Sequence, residues 1–481
     1  MIWNETKKRW IRPIKAILTS INGEIVNFEY AGIKAQKFTQ LETPNCILNQ
    51  EKRLNKIKLE IAKIESEHSF KCVARERLFN ENSYLTNLPS IKYDYFDAKY
   101  LTLPQKVLIQ TLETNQKYFL FQNADGTLSN LFAVCIEGEY SNDISKQIIE
   151  GNKKVLHSRL EDAVYYLKID TKHTLLEHLE KTKQVAFHKN AGTVFERVER
   201  MLKIAQDLNL TDANLELAIK LCKADLQTEM TQSFTELQGY IGAYYAGLEG
   251  YPKEVCNAIE LQYKLGIEEE VEGRAELSLL LALIEKYEKI KTLLEAGEIP
   301  TSSRDPFGIR RDALAIIKIL IKGKLNIKLP LEGELREIIF DRLKFYLKGF
   351  NLDIVNAVVK FEEKSTEISL FDLYNKILTL SNNEKNFASF SRIANILNSK
   401  EAKLFVVKEL NLSLLTVGEA FMLTKFQNSQ NLEDMLNNAN LIDKFFENTL
   451  VIDESNKEAT GNRLALLNSI LNKIQKFICV L

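Results

Sequence analysis

The chain has 481 residues, 45% of them apolar, and its 64 basic and 65 acidic residues leave a formal net charge of −1. That length supports several hydrophobic cores, about three domains at the usual ~150 residues each. The balanced charge excludes a protein that coats nucleic acid by bulk attraction, so any RNA contact has to come from local basic faces.

Residues 10–40 alternate as strands do. Ile14, Ala16, Leu18 and Ser20 share one face, and Asn22-Gly23 is a hairpin-turn signal. Residues 50–67 change to a helical period, with Leu54, Ile57, Ile61 and Ile64 three and four apart. Residues 101–136 return to strands, with β-rich runs at 117–121 and 131–136. Between those runs, Asn123-Ala124-Asp125-Gly126 is a turn, because Asp and Gly tolerate left-handed geometry. This α+β region ends near residue 140.

From about residue 147 the pattern is almost wholly helical, and Pro252, Pro300, Pro306 and Pro330 fall at its punctuation. Gly151-Asn152 reads as a helix start with Asn152 as N-cap. Lys153, Lys154, His157 and Arg159 give that helix a basic side, suited to local ion pairs or to RNA phosphate. Residues 222–247 read as a helix end, a tight connection containing glycine, and a second helix with small residues along one stripe. Segment 297–306 is a loop. After it, Asp305-Pro306 opens a helix whose Arg310 and Arg311 either hold the loop through carboxylates or touch phosphate. Segment 323–333 is the next break. From about 369, five amphipathic stretches follow, one with the stripe Phe387, Phe390, Ala394 and Leu397, as in an all-α bundle.

Several chemistries lack their residues. There is no GxxxxGK[ST], GxGxxG or GxSxG run, and nothing resembles an adenylate-forming site. The histidines are His68, His157, His173, His178 and His188, and none is followed by Asp. The six cysteines include no CxxC pair, which favours packed, reduced thiols over disulfides or zinc. No apolar run approaches the ~18–20 residues of a membrane span. The N-terminus lacks the apolar core of a signal peptide, so a cytoplasmic protein with no membrane association is expected.

The run Lys223-Ala224-Asp225-Leu226, continuing through Thr228, Met230 and Phe234 to Glu236-Leu237-Gln238-Gly239, Gly242 and Tyr245-Ala246, resembles a signature of the bacterial glycyl-tRNA synthetase beta subunit family, the two-subunit class II form. Other family-like pieces follow in the family's order. They are Trp10-Ile11-Arg12-Pro13-Ile14, Asn115-Gln116-Lys117-Tyr118-Phe119, Gly151-Asn152-Lys153-Lys154-Val155-Leu156 with Arg159-Leu160-Glu161-Asp162-Ala163, Gly192-Thr193 with Arg197 and Arg200, and Asp305-Pro306-Phe307-Gly308-Ile309-Arg310-Arg311. Near the end, Ser391-Arg392-Ile393-Ala394-Asn395-Ile396-Leu397 and Asn462-Arg463-Leu464-Ala465-Leu466-Leu467 resemble helices of the family's anticodon-binding bundle, itself similar to that of arginyl-tRNA synthetase.

The resemblance implies an α+β fold, mostly α. Residues 1–140 are a truncated N-terminal α/β remnant and 141–330 a degenerate helical domain of the His-Asp (HD) phosphohydrolase type. Residues 331–368 are linker helices and 369–481 an anticodon-binding-like bundle. It implies a beta subunit of glycine–tRNA ligase that binds and positions glycine tRNA. ATP-dependent aminoacylation takes place on the alpha subunit of an α2β2 tetramer, and DNA is no partner. ATP and Mg²⁺ belong to the alpha subunit, and no catalytic or metal-ligating residue is expected here. The implied tRNA-binding residues are Arg392, Asn395, Arg463, Lys153, Lys154, Arg310 and Arg311. Unstacked bases are recognised by such Asn and Arg side chains. On a purely local reading, Asn395 caps or bridges helices and Arg463 pairs with Asp453 or Glu454.

Departures from the family keep two other readings open. The family's opening L-x-E-I/L-G motif and the region after it are missing, and Lys34-Ala35-Gln36-Lys37-Phe38 replaces R-G-H-R-F, which leaves a folded non-functional fragment possible. The middle domain raises a metal-dependent HD-type phosphohydrolase. Against that, Ile284-Glu285-Lys286-Tyr287-Glu288-Lys289-Ile290 stands where the family has A-D-K-x-D-T-L, so a scaffold is expected rather than a working metal centre.

Overall fold

The computed structural model describes residues 5–9, 14, 17–22, 24–36, 46–47, 49–301, 303–405 and 409–480. Residues 10–13 of the Arg-Pro motif, with Ala16, Gly23, Lys37 and Phe38, lie outside the described residues. The fold is α+β and mostly α, in two compact units, residues 1–170 and 171–481. Among the described residues no helix is long and apolar enough to cross a membrane.

The first unit opens with short strands. β1 (Ile17–Leu18) runs parallel to β5 (Ile33–Gln36), which pairs antiparallel with β4 (Glu29–Tyr30). β2 (Ser20–Ile21) and β3 (Glu24–Ile25) form a hairpin, and Asn22 between them has φ +51°, as a tight two-residue turn needs.

Helix α1 (Gln50–His68) starts where Asn49 accepts the Lys52 N–H at 3.0 Å. Its buried stripe of Ile57, Ile61 and Ile64 joins Leu78 of α2 (Glu76–Leu85) over one face of an antiparallel sheet. That sheet has the order β6 (Lys71–Cys72), β8 (Phe119–Gln122), β9 (Leu128–Glu137), β7 (Pro89–Tyr95). Phe119, Phe121, Leu131, Ala133 and Ile91 point into the same core. The β8–β9 turn forms as its residues dictate: Gly126 has φ +84° and Asp125 accepts the Thr127 N–H at 2.9 Å.

Two expectations fail in this unit. Residues 105–115 are helical, as α3 (Gln105–Ile109) and a π turn, Gln110–Asn115. Pro104 opens that stretch, and Val107, Leu108, Thr111 and Leu112 bury a helical rather than an alternating face. Helix α4 (Asn142–Asp170) also begins nine residues before Gly151. Asn152 is therefore no N-cap. Its side chain donates to the Ile148 carbonyl at 2.8 Å and accepts the Tyr118 hydroxyl at 2.7 Å.

The second unit is helical. Thr174 and Thr193 each close a capping box, on α5 (Leu175–Lys181) and α6 (Val194–Asp207). The pair β10 (Ala186–His188) and β11 (Gly192–Thr193) leads into α6. Then come α7 (Ala213–Leu221), α8 (Glu229–Ser233), α9 (Tyr240–Leu248) and α10 (Lys253–Leu261). α6, α7 and α10 pack against α11 (Glu276–Glu295), which is buried on almost every side from Ser278 to Leu294. α12 (Ile309–Lys322) follows the expected loop and packs on α11.

The break at 323–333 contains β12 (Lys328–Pro330), antiparallel to β13 (Glu367–Ser369), and α13 (Gly333–Tyr346) and α14 (Leu352–Glu362) lie between the two strands in sequence. The C-terminal bundle has α15 (Leu370–Asn382), α16 (Glu384–Asn398), α17 (Val417–Asn428), α18 (Leu432–Asn437), α19 (Asn440–Asn448) and α20 (Lys457–Ile474). Among the described residues the expected five stretches are six α-helices, because α18 is too short to show a full period. The stripe on α16 is in the core as expected: Phe387, Phe390 and Ala394 are buried, and Phe390 meets Phe426 edge-on at 5.9 Å.

Candidate functional site

The signature run folds into a knot of charge. Lys223 and Asp225 have no solvent exposure. The Asp225 Oδ2 accepts the N–H of Gly239 at 2.6 Å and that of Gly242 at 3.3 Å. Both glycines are required there. Gly239 has φ +83°, and a Cβ on it would lie 3.2 Å from the Ile259 carbonyl. A Cβ on Gly242 would press on the Asp225 carboxylate at 3.2 Å.

The Lys223 ammonium donates to Gln262 Oε1 and Tyr263 Oη, each at 2.8 Å, and to Glu285 Oε1 at 3.1 Å. Arg197 of α6 lies on the same carboxylate at 2.7 Å and on Glu288 Oε2 at 2.6 Å. Arg200, one turn on, binds Glu288 Oε1 at 2.8 Å, and Thr292 donates to that oxygen at 2.9 Å. Beside them, Lys286 donates to the Gln262 carbonyl at 2.6 Å and Lys289 meets Asp312 at 2.7 Å.

The electrostatics follow from burial and pairing. Burial opposes ionisation of Glu285, but Lys223 and Arg197 outweigh it and hold its carboxyl well below the usual range. Burial lowers the Lys223 ammonium, against the pull of Glu285. Burial raises Asp225 to about 6, against its two backbone donors. Thus Glu285 and Glu288 are engaged by Arg197, Arg200 and Lys223. The histidines are dispersed: His68 stacks edge-on with Tyr93, His157 meets the Tyr100 hydroxyl, His173 faces His178, and His188 meets Glu298. Among the described residues no group of three or more His, Cys, Asp or Glu is placed to hold a metal ion. The arrangement ties α6, α10 and α11 together and presents no exposed nucleophile.

The basic residues singled out in the sequence divide into two groups. Lys153 pairs with Asp94 at 2.9 Å, whereas Lys154 and Arg159 are exposed on α4. Asp305 caps α12 through the N–H groups of Ile309 and Arg310, at 2.9 and 3.0 Å. The Arg310 guanidinium turns back to the Pro300 carbonyl at 3.5 Å, while Arg311 is exposed beside Gly308.

On the C-terminal bundle, Arg392 and Asn395 are exposed on α16, and the Arg392 guanidinium lies 4.4 Å over the Phe446 ring of α19. Arg463 donates to the Leu450 carbonyl at 2.9 Å and sits 3.7 Å from Glu419, so its contact ion pair is with Glu419, while after the Ser455 hydrogen bonds its charge also helps to lower the Asp453 carboxyl. Asn462 pins Asn411, accepting its N–H at 2.8 Å and donating to its carbonyl at 3.1 Å. Phe446 was not foreseen, because its neighbour Arg392 is 54 positions away and no local pattern pairs them.

A model of the glycyl-tRNA synthetase beta subunit family matches residues 1–363. The glycine–tRNA ligase beta subunits of Rickettsia felis, Rickettsia akari and Rickettsia prowazekii are each 31% identical to this chain. Each comparison covers 99% of this chain and 79% of the relative. With matching on this scale, the chain belongs to the glycyl-tRNA synthetase beta subunit family.

Proposed function

We propose that this chain is the tRNA-gripping subunit of a glycine–tRNA ligase. It binds and positions glycine tRNA, and a separate alpha subunit holds ATP, Mg²⁺ and glycine and carries out aminoacylation. The two chains assemble as an α2β2 tetramer in the cytoplasm. The observation that carries the reading is the Arg392–Phe446 stack with Asn395 exposed one turn along α16, in a chain of this family. A cation stacked on an aromatic ring beside a free amide suits an unpaired base and its phosphate.

In this reading residues 369–481 form the anticodon-binding bundle, reached through linker helices in 331–368. Residues 141–330 act as an HD-like scaffold and bind no metal. The exposed Arg392, Asn395, Lys154 and Arg311 are the direct RNA contacts. Lys153, Arg310 and Arg463, already held by protein acceptors, shape the surfaces those contacts stand on.

The test is reconstitution. Chain and alpha subunit are purified separately, and glycine transfer to tRNA is measured for each alone and for the mixture. Filter binding then compares glycine tRNA with a tRNA of another specificity. Transfer only by the mixture, with the mixture preferring glycine tRNA, is expected. Full transfer by the alpha subunit alone, or equal binding of both tRNAs, overturns the reading.

A further inference from the structure

The groove between α17 and α19 is built differently from the exposed positions above. It holds a cavity of about 250 Å³. Its walls are Phe421, Met422 and Phe445, and its mouth carries Lys444, Asn448 and Thr449. Phe421 is 53% exposed although it is large and apolar. The Lys425 ammonium lies 5.4 Å from its ring centre. Val417, one turn earlier on the same helix face, is exposed as well, as is Leu450 just beyond α19.

The groove is fixed from behind. Glu419, on the inner side of α17, caps that helix by accepting the Thr416 N–H at 2.8 Å and its hydroxyl at 3.0 Å. Its side chain is only 7% exposed, so the carboxylate needs a cation, and Arg463 supplies one. The same guanidinium donates to the Leu450 carbonyl beyond α19. One α20 side chain therefore holds both walls, and the neighbouring Asn462 pins the segment that leads into α17. Asp443, the acid on the far side of α19, is engaged by the Ser389 hydroxyl at 2.8 Å. Of the charged residues lining the cavity, Lys444 is exposed, and Lys425 stands beside the Phe421 ring.

We infer that this groove takes a single unstacked nucleobase of the tRNA, stacked on Phe421 and met at its edge by the amide oxygen of Asn448, whose nitrogen donates to the Lys444 carbonyl at 2.8 Å and so fixes the side chain, with Lys425 and Lys444 beside the flanking phosphates. The inference rests on the tRNA-binding reading above. Size supports one planar ring system, since drug-sized ligands occupy roughly 300–1,000 Å³. An aromatic platform flanked by cations is the chemistry by which single-stranded RNA is held. Arg463 is then a positioning residue. It keeps the two walls apart at the width of a ring and does not itself touch RNA.

The experiment uses the assembled alpha–beta enzyme, with glycine tRNA and anticodon-loop variants as probes across a salt series. Phe421→Ala weakens binding about 5- to 150-fold, the range that loss of one base stack produces. It leaves the salt slope unchanged, because no phosphate contact is removed. Phe421→Leu, which keeps an apolar cover over the groove and protects the fold, weakens it in the same direction. Asn448→Ala narrows discrimination among anticodon-loop variants. Arg463→Lys weakens binding with an unchanged slope, whereas a direct phosphate contact at Arg463 would flatten it. If both Phe421 variants bind glycine tRNA as the unaltered enzyme does while Arg392→Ala does not, the pocket is overturned and the tRNA-binding reading stands. If the unaltered enzyme shows no preference for glycine tRNA, both fall. If Phe421→Ala releases the alpha subunit, the groove is a protein-docking site and the nucleobase assignment is overturned.

Discussion

Arg197 of α6 and Glu288 of α11 meet 2.6 Å apart, and neither side chain is more than a tenth exposed. Each is doubly used, Arg197 by Glu285 and Glu288, and Glu288 by Arg197 and Arg200. Removing one partner from such a pair strands a buried charge, which costs about 3–5 kcal/mol. Glu288→Gln should therefore lower the urea midpoint far more than Arg200→Ala, since Arg200 is 31% exposed and water can replace much of what it loses. Equal midpoints for the two variants would show that the network does not hold these helices together.

Asp225 gives the fold a pH dependence of a definite sign. Burial raises its carboxyl to about 6, from an ordinary value of 3.8. The folded state therefore holds a proton that the unfolded chain has released. This contribution to stability is full below the unfolded value and is lost as pH rises through about 6. Its size is about 3 kcal/mol, from roughly two pKa units. Asp225→Asn keeps an acceptor for Gly239 and Gly242 without a titrating charge. The stability difference between the two proteins, followed by denaturant melts from pH 4 to 7, should change in the variant's favour. A constant difference would mean that Asp225 does not titrate in that window.

How much of this could be read from the sequence depended on how local the cause was. The stripe Ile57, Ile61, Ile64 fixes α1, and Asp125-Gly126 fixes the β8–β9 turn, because the deciding residues are within a few positions of each other. Residues 105–115 were misassigned because Leu108 and Leu112 are a helical pair inside a segment rich in β-formers. Asn152 misled because a Gly-Asn pair resembles a helix start wherever it falls, and here it lies inside α4. The family signature pointed to Lys223 and Asp225, but not to Arg197 or Glu288 as their company. That cluster closes between residues 88–91 positions apart. Shorter but still non-local separations, 54 and 44 positions, hid Phe446 behind Arg392 and Glu419 behind Arg463.

Gly239 is a sharper test of the signature than its charges. Its φ of +83° is one that a side chain rarely adopts, and a Cβ would meet the Ile259 carbonyl at 3.2 Å and the Tyr263 ring at 3.3 Å. Gly239→Ala should destabilise by ~1–3 kcal/mol from backbone strain, with more from the displaced α10. Gly247→Ala is the control, because nothing lies within 4 Å of its added methyl. Matching thermal midpoints for the two variants would remove the packing argument.

The proposed division of labour predicts that catalysis depends on the alpha subunit. The purified chain should give no glycine-dependent pyrophosphate exchange, and adding the alpha subunit should restore it. Replacing Arg197 should reduce transfer by the mixture only as far as it reduces the folded fraction, measured on the same samples. Robust exchange by the chain alone would place an adenylation site in it.

The surface of α16 separates two kinds of RNA contact. With a net charge of −1 the protein gains nothing from bulk attraction, so each placed cation should register singly. Arg392→Ala should weaken glycine tRNA binding and flatten the salt dependence by about one counterion. Arg392→Lys should restore the slope but not the whole affinity, because the flat guanidinium over Phe446 also offers a stacking face that an ammonium lacks. Asn395→Ala should leave the slope alone. By the scale of single base readout it should cost roughly 1–3 kcal/mol and relax discrimination between anticodon variants. Filter binding of glycine tRNA and anticodon-substituted tRNA across a salt series reads both effects. If affinity, slope and discrimination are all unchanged, with circular dichroism confirming the fold, the RNA lies elsewhere and the Arg392–Phe446 stack serves only to join α16 to α19.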